Sequence, residues 1–448
     1  MRHAALRVTA GLIAATALMP GTPVQTLVAG RDSMAPINPV IEWNQILIDT
    51  LIAAAPPNAA SPRLGAIVQA AVFDAYNGID QRYTPLAATG RAPEGASAEA
   101  AVVAAAYTTL ISLFPSRQAV ALDPAYAASL EALRHHCLTG PRPNGRPHVC
   151  ETRIQDGVDW GTYVAHAILD WRANDGFSLS YPAFAGGPAI GQWRPTPPAF
   201  GPMSNPSLAF TDMFVLASST QFRPERPRTL ASPVFADDLA AVQALGRQSG
   251  STRTDDQTAL ARFWEASASV HWNQAANQMA RDRHLSLARS ARLFASLNIA
   301  MADTIHTIWA AKRFYGSLAT EVTWRPVSAI PLAEADGNPD TVAEPGWLPL
   351  MPTPSHPEYP AGHPSLNGAA ATILLRHFDD RQAFTLTSVG QASRTYDSIS
   401  RARTDGNQAR VWGGMHYPST VALSDATGAA IAEYVDRHAM RRLDGDHP

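Results

Sequence analysis

Residues 285–315, LSLARSARLFASLNIAMADTIHTIWAAKRFY, read as one long helical run, and they carry the only lysine of the chain, Lys312. The 35 basic residues divide into 34 Arg and that one Lys. A composition that has gone almost wholly to arginine yet keeps one ammonium points to a position where a compact point charge is needed rather than a planar fork. Upstream of this run, helices are expected at Asn273–Arg283, at Asp255–Ser267 and from about Asp237. Earlier ones are expected at Thr152–Asp175, at Asp123–Cys137 with Pro124 in the first turn, at Ser97–Phe114 and at Ile41–Ala55. Ser61 and Pro62 read as an N-cap and first-turn pair opening a helix in which Leu64, Ile67, Val68, Ala71 and Val72 share a face. No stretch alternates convincingly with period two, so the expected fold class is mainly α, a helical bundle with long ordered loops.

Between Gly176 and about Pro233 the chain is rich in Gly, Pro, Phe and Trp and has little periodicity. It is too long for a plain connection and too aromatic for a flexible linker, which predicts an ordered excursion, one that could lie over a site. From Trp324 to Val435, Pro- and Gly-rich turns alternate with helices. The expected organisation is a signal peptide over 1–30, an N-terminal helical region over 31–235 that includes the excursion, and a C-terminal helical bundle over 236–448.

With 448 residues, 46% apolar and 16% charged, the chain can bury one large or two ordinary cores and is too apolar for disorder. A net charge of −3 and a pI near 6.5 give no broad basic face, which argues against nucleic acid or an anionic membrane as the main partner and for a small-molecule substrate. Arg2, His3 and Arg7 precede an apolar stretch from Val8 to Leu18, followed by Pro20, Gly21 and Pro23. That is the layout of a secretory signal, implying a secreted or periplasmic protein with no membrane span in the mature chain. Cys137 and Cys150, joined by a segment with Gly140, Pro141, Pro143, Gly145 and Pro147, suit a disulfide in an exported chain. A metal held with His135 and His136 is the lesser alternative.

Three short segments concentrate His, Arg, Lys and Gly. The first holds Lys312 near the end of the long helix, then Trp324, Arg325 and Pro326. The second is Pro357-Glu358-Tyr359-Pro360-Ala361-Gly362-His363-Pro364, where Pro364 reads as the first helical position and Gly362 and His363 fall at a helix N-terminus. Free N–H groups and the helix dipole favour an anion there. The third is Arg410-Val411-Trp412-Gly413-Gly414-Met415-His416-Tyr417, whose paired glycines let the backbone turn closely between a cation and an imidazole. If the three segments converge, three permanent cations and free N–H donors suit a compact oxyanion such as phosphate or vanadate better than a carboxylate. His363 and His416 would then serve as acid–base group and as nucleophile or ligand.

Trp-Arg-Pro, then Tyr-Pro-Ala-Gly-His-Pro, then Arg with five residues to His, in that order, resemble the bacterial vanadium-dependent haloperoxidases. Those enzymes share a site and a helical-bundle fold with type 2 phosphatidic acid phosphatases and bacterial acid phosphatases. Gln69–Asn77 and Trp272–Lys312 are similar to helices of the same bacterial group, so the resemblance covers most of the mature chain. It implies that His416 is the vanadate ligand, or the phosphorylated nucleophile of a phosphatase, and that His363 is the acid–base group. It further implies that Lys312, Arg325 and Arg410 hold the oxyanion with the Gly362 N–H. The implied partners are hydrogen peroxide, a halide and an organic acceptor, with vanadate as cofactor and phosphate able to occupy its place.

Two departures from the family pattern stand out. Lys312 precedes Arg325 by thirteen positions, where the family has seven, and Leu318 occupies the usual spot. A loop absorbs six extra residues at little cost, because closure entropy grows only as the logarithm of length. Ala361 stands where the family commonly has a Ser that donates to the oxyanion, and Thr420 stands where many phosphatases carry an Asp that orients the histidine. Asp425 is nearby in sequence without an assigned place, and Ser355 and His356 are candidates to line the pocket. Three activities therefore remain open at this stage: haloperoxidase, secreted acid phosphatase, and non-catalytic oxyanion binding.

Overall fold

A computed structural model describes residues 38–139 and 146–443, so the expected signal peptide lies outside the described residues. The first helices are α1 (Pro39–Ala54), α2 (Ser61–Asp80), α3 (Ala98–Leu113), α4 (Asp123–Thr139) and α5 (Pro147–Ala173). After the excursion come α6 (Pro233–Leu245), α7 (Asp255–Phe263), α8 (Ala268–Asp282), α9 (Leu287–Gly316) and α10 (Pro326–Ala329). The last are α11 (Gly362–His377), α12 (Ile399–Trp412) and α13 (Pro418–His438). Local chemistry sets many of the starts. Ser97, Thr254, Ser286 and Ser398 each accept the third N–H of the helix they cap, and proline fixes the first turn of α1, α5, α6, α10 and α13.

Ser61 is not the cap that its sequence suggests. The helix begins on it, Ala60 holds the cap position, and no side chain caps there. A two-stranded hairpin also appears, with β1 (Phe384–Leu386) antiparallel to β2 (Arg394–Tyr396) and Phe384 opposite Tyr396. Three residues per strand are too few for a period-two signal to stand out in the sequence.

The 30-residue α9 is the axis of the molecule. From Ser290 to Lys312 every residue except Arg292 is buried, as expected of a helix surrounded by others. Helices α2, α11 and α13 pack against it, while α3 packs between α2 and α5. Small residues allow the closest approaches. A Cβ on Gly428 of α13 would lie 1.8 Å from the Ser365 carbonyl oxygen of α11, and one on Gly368 would lie 2.1 Å from that of Asp425. These reciprocal glycines lock α11 onto α13, so the start of α11 and the turn leading into α13 are held together.

The excursion is ordered, as its composition suggests. The buried Arg63 and Arg172 both pair with Asp175, and Arg172 also donates to the carbonyls of Asp212 and Met213. Asp303 of α9 accepts the N–H groups of Phe214, Val215 and Leu216 at 2.6, 2.9 and 3.0 Å. Cys137 and Cys150 form a disulfide, leaving no thiolate there for a metal. Among the described residues no single helix is long and apolar enough to cross a membrane.

Candidate active site

Each of the three segments places its residues by a local device. Lys312 lies one turn from the end of α9. Arg325 is the extended cap residue before Pro326, which opens α10. Ala361 is the extended cap of α11, so Gly362 and His363 are its first two residues and their N–H groups have no intrahelical acceptor. At the end of α12, Gly414 takes a φ of +77°, a backbone region that favours glycine, and the Met415 and His416 N–H groups turn back to the Arg410 carbonyl. The paired-glycine turn expected from the sequence thus rests on Gly414.

The segments converge. A cavity of about 240 Å³ is lined by Gly362, His363, Arg410 and His416, together with His356 and Trp309. The excursion contributes Ser204 and Asn205 to its wall, where the Trp309 indole N–H donates to the Ser204 carbonyl. Lys312, Arg325, Arg410 and His416 are all buried.

The His416 ring is held from both sides. Nδ1 lies 2.9 Å from Glu358 Oε1, and Arg325 Nη1 lies 3.0 Å from Nε2. A carboxylate takes a proton-bearing nitrogen and a guanidinium faces a lone pair, so the ring is the Nδ1–H tautomer with Nε2 as its basic atom. Glu358 also accepts the Tyr417 N–H at 3.2 Å and the Thr420 hydroxyl at 3.1 Å. Arg325 spends three more donors on the His356 and Met415 carbonyls and on His356 Nδ1, which leaves one N–H of its Nη2 uncommitted. Arg410 donates to the Trp264 carbonyl at 3.4 Å and to Met415 Sδ, while its Nε is buried without a partner.

Lys312, at the displaced position, still reaches the site. Its Nζ donates to the carbonyls of Pro357 and Glu358, at 2.5 and 3.1 Å, which leaves one of three donors uncommitted. Burial pushes its ammonium well below the ordinary lysine value, and Arg325 and Arg410 add to that while Glu358 opposes it. Burial likewise lowers Arg325 to about 9, with Glu358 opposing, and lowers Arg410 to about 10, with Glu265 at the cavity rim opposing. Glu358 is pushed up to about 7 by burial, against the pull of Arg325 and Lys312. His416 and His363 are held well below the ordinary histidine value, by burial first and then by Arg325 and Arg410 respectively. Both rings are therefore neutral near pH 7. His363 Nε2 lies 3.3 Å from the Ala266 carbonyl.

Of the six residues singled out in the sequence, Gly362, His363, Arg410 and His416 line the cavity, while Arg325 touches the His416 ring and Lys312 the Pro357–Glu358 backbone beside it. Sequence reasoning missed Glu358, which does what the absent carboxylate at Thr420 would do. Thr420 supports Glu358 instead of touching the ring. Asp425, the other candidate, forms a two-pronged pair with Arg403 on α12 and is not a partner of His416. His356 lines the cavity. Ser355 instead ties the excursion down through the Gly201 and Pro202 carbonyls. The signal that could have found it is the acidic residue inside Pro357–Pro360.

Residues 292–445 match the family model for the VCPO second helical-bundle domain. The structure is similar to that of the first bacterial vanadium-dependent iodoperoxidase, with a TM-score of 0.72 and 23% identity over 92% of this chain and 99% of that one. It is also similar to a bacterial vanadium-dependent chloroperoxidase in its apo form (0.63, 18%, 85% and 95%) and in its holo form (0.61, 17%, 91% and 94%). At such identities the likeness establishes the all-α fold of these haloperoxidases. No curated protein sequence matches the chain.

Proposed function

We propose that the protein is a vanadate-dependent haloperoxidase, using hydrogen peroxide to oxidise a halide to hypohalous acid that halogenates organic acceptors. The observation that carries this reading is the donor set around one basic imidazole nitrogen. Arg410 and the first residues of α11 line the cavity, Arg325 reaches the His416 ring and Lys312 the Pro357–Glu358 backbone beside it, the Arg410 Nε is still without a partner, and Glu358 is turned to the far side of the ring. Two positive charges in excess suit a tetrahedral oxyanion of charge about −2 to −3. Vanadate would fit this set, with His416 Nε2 able to serve as its ligand and Lys312, Arg325, Arg410 and the Gly362 N–H as the groups that would hold its oxygens.

Bound vanadate supplies a Lewis acid that activates peroxide without changing its own redox state. The chain supplies the rest. Glu358 fixes the His416 tautomer and ring angle, as outer partners of ligating histidines generally do. The three cations draw charge off the oxyanion. His363, neutral and at the cavity wall, takes a proton from incoming peroxide and returns it to the departing oxygen. Export to an oxidising compartment is the matching localisation, supported by the Cys137–Cys150 disulfide.

The test is halogenation of a phenol dye with peroxide and bromide or iodide, with and without orthovanadate, in the wild type and in His416→Ala. Vanadate-dependent activity that falls to background in the variant is the expected result. Turnover of p-nitrophenyl phosphate inhibited by vanadate, without halogenation, would replace this reading with the phosphatase.

A further inference from the structure

We propose that the end of the bundle remote from the oxyanion cavity carries a second anion site, for a compact soluble polyanion bearing two or more phosphate or sulfate groups. Arg289, Arg292, Arg376, Arg437, Arg441 and Arg442 line one depression of about 910 Å³. They come from four places in the chain: the start of α9, the last turn of α11, the last turn of α13 and the segment that follows it. The net charge of −3 conceals this cluster, which is why composition alone excludes a broad basic face but not a local one.

The depression has little negative charge of its own. Asp436 lines it and is engaged by Arg292, at 3.2 Å. Arg437 lies 4.0 Å from Glu433 on its own helix. Among the described residues, the side chains of Arg289, Arg376 and Arg441 have neither an ion pair nor a hydrogen bond, and all three are exposed. His377 sits in the wall with its Nε2 buried and without a partner.

A purely structural account covers half of this. Arg376 and Arg437 sit in the last turns of α11 and α13, where the helix dipole favours a cation. The same dipole disfavours Arg289 in the first turn of α9, a turn that holds no acidic residue. Arg292 follows one turn later, so the arginines that face the others come from the wrong end of a helix for self-stabilisation. An anion between the two sets relieves both.

Size selects the ligand class. One phosphate is saturated by two or three guanidinium forks, whereas the three uncommitted forks of Arg289, Arg376 and Arg441, with Arg292 and Arg437 each engaged by a single carboxylate beside them, around a space nearly four times that of the oxyanion cavity call for more than one anionic group on one molecule. The two sites are distinct. His363 and Arg376 stand at opposite ends of α11, thirteen residues or about 20 Å apart at 1.5 Å per residue. The inference does not depend on the proposed halide chemistry.

The experiment is calorimetric titration of the full chain with inorganic tripolyphosphate and with sucrose octasulfate, each in excess orthophosphate to occupy the oxyanion cavity. The same titrations are made on the triple variant Arg289→Gln, Arg376→Gln, Arg441→Gln, whose exposed positions leave the thermal midpoint unchanged. One polyanion per chain, bound at least about tenfold more weakly by the variant and weakened by added salt, is the expected result. The better of the two ligands identifies phosphate or sulfate as the preferred group. Equal binding by variant and wild type, or binding abolished by orthophosphate, would overturn the proposal. So would binding confined to anionic phosphatidylglycerol vesicles with neither soluble polyanion competing.

Discussion

Two buried charge clusters share α9, and they are built differently. Around Asp303, two arginines, Arg63 and Arg172, meet two carboxylates, Asp175 and Asp303. Further donors and acceptors there are taken up by backbone groups of Asp212–Leu216. Nine residues on, around Lys312, three cations meet one carboxylate, Glu358, beside a cavity that Arg410 lines. The first cluster is balanced in charge and filled by the chain itself, with the Arg172 Nε left over, which is close to what a buried charge requires when its task is to hold the fold. The second is two positive charges in excess beside open space, and it is complete only with an anion in place. The imbalance, more than the burial, marks the site.

That contrast breaks most visibly at Asp303. Replacing it with Ala leaves two buried arginines facing the single carboxylate of Asp175 and strands three N–H groups, so urea unfolding is expected to show a loss of about 3 to 5 kcal/mol. Halide oxidation per folded molecule should stay near wild type. A stable Asp303→Ala protein with altered vanadate affinity would mean that the two clusters are one system.

Glu358 tests the other side. Glu358→Gln keeps an acceptor for the His416 Nδ1–H while removing the charge, and vanadate affinity measured by equilibrium dialysis is expected to fall about 10- to 100-fold. Stability should change little, because a buried carboxylate held up at about 7 is costly to ionise. An affinity equal to wild type would show that ring orientation is set by Arg325 alone.

The parts of this arrangement legible in the sequence are those built within one segment. Gly362 and His363 announce a helix start, Gly413-Gly414 announces a tight turn, and Arg325-Pro326 announces an extended residue before a helix. The long α9 and the ordered excursion were likewise visible from composition and length. What stayed hidden depends on tertiary pairing. Glu358 lies 58 residues from the ring it orients, and Arg63, Arg172, Asp175 and Asp303 carry no common pattern. The arginine depression gathers four segments that look like ordinary helix ends when read singly. Net charge and spacing do not report such encounters.

Ala361 gives the finest test of the unbalanced cluster. It is buried, caps α11 without a side-chain bond, and donates its N–H to Ser424 Oγ. A serine there has two uses for one hydroxyl. As an acceptor it caps the free N–H groups of α11 and adds about 1 kcal/mol of stability. As a donor it reaches the oxyanion and raises vanadate affinity by about 1.5 kcal/mol, roughly tenfold. Thermal unfolding of Ala361→Ser with and without orthovanadate separates the two, because a cap raises both midpoints equally while an oxyanion contact widens the gap between them. We expect the gap to widen, since a cluster with two cations in excess still lacks a neutral donor at the helix start. Equal shifts would show that the present donors already saturate the oxyanion, and that alanine at this position costs the helix and not the site.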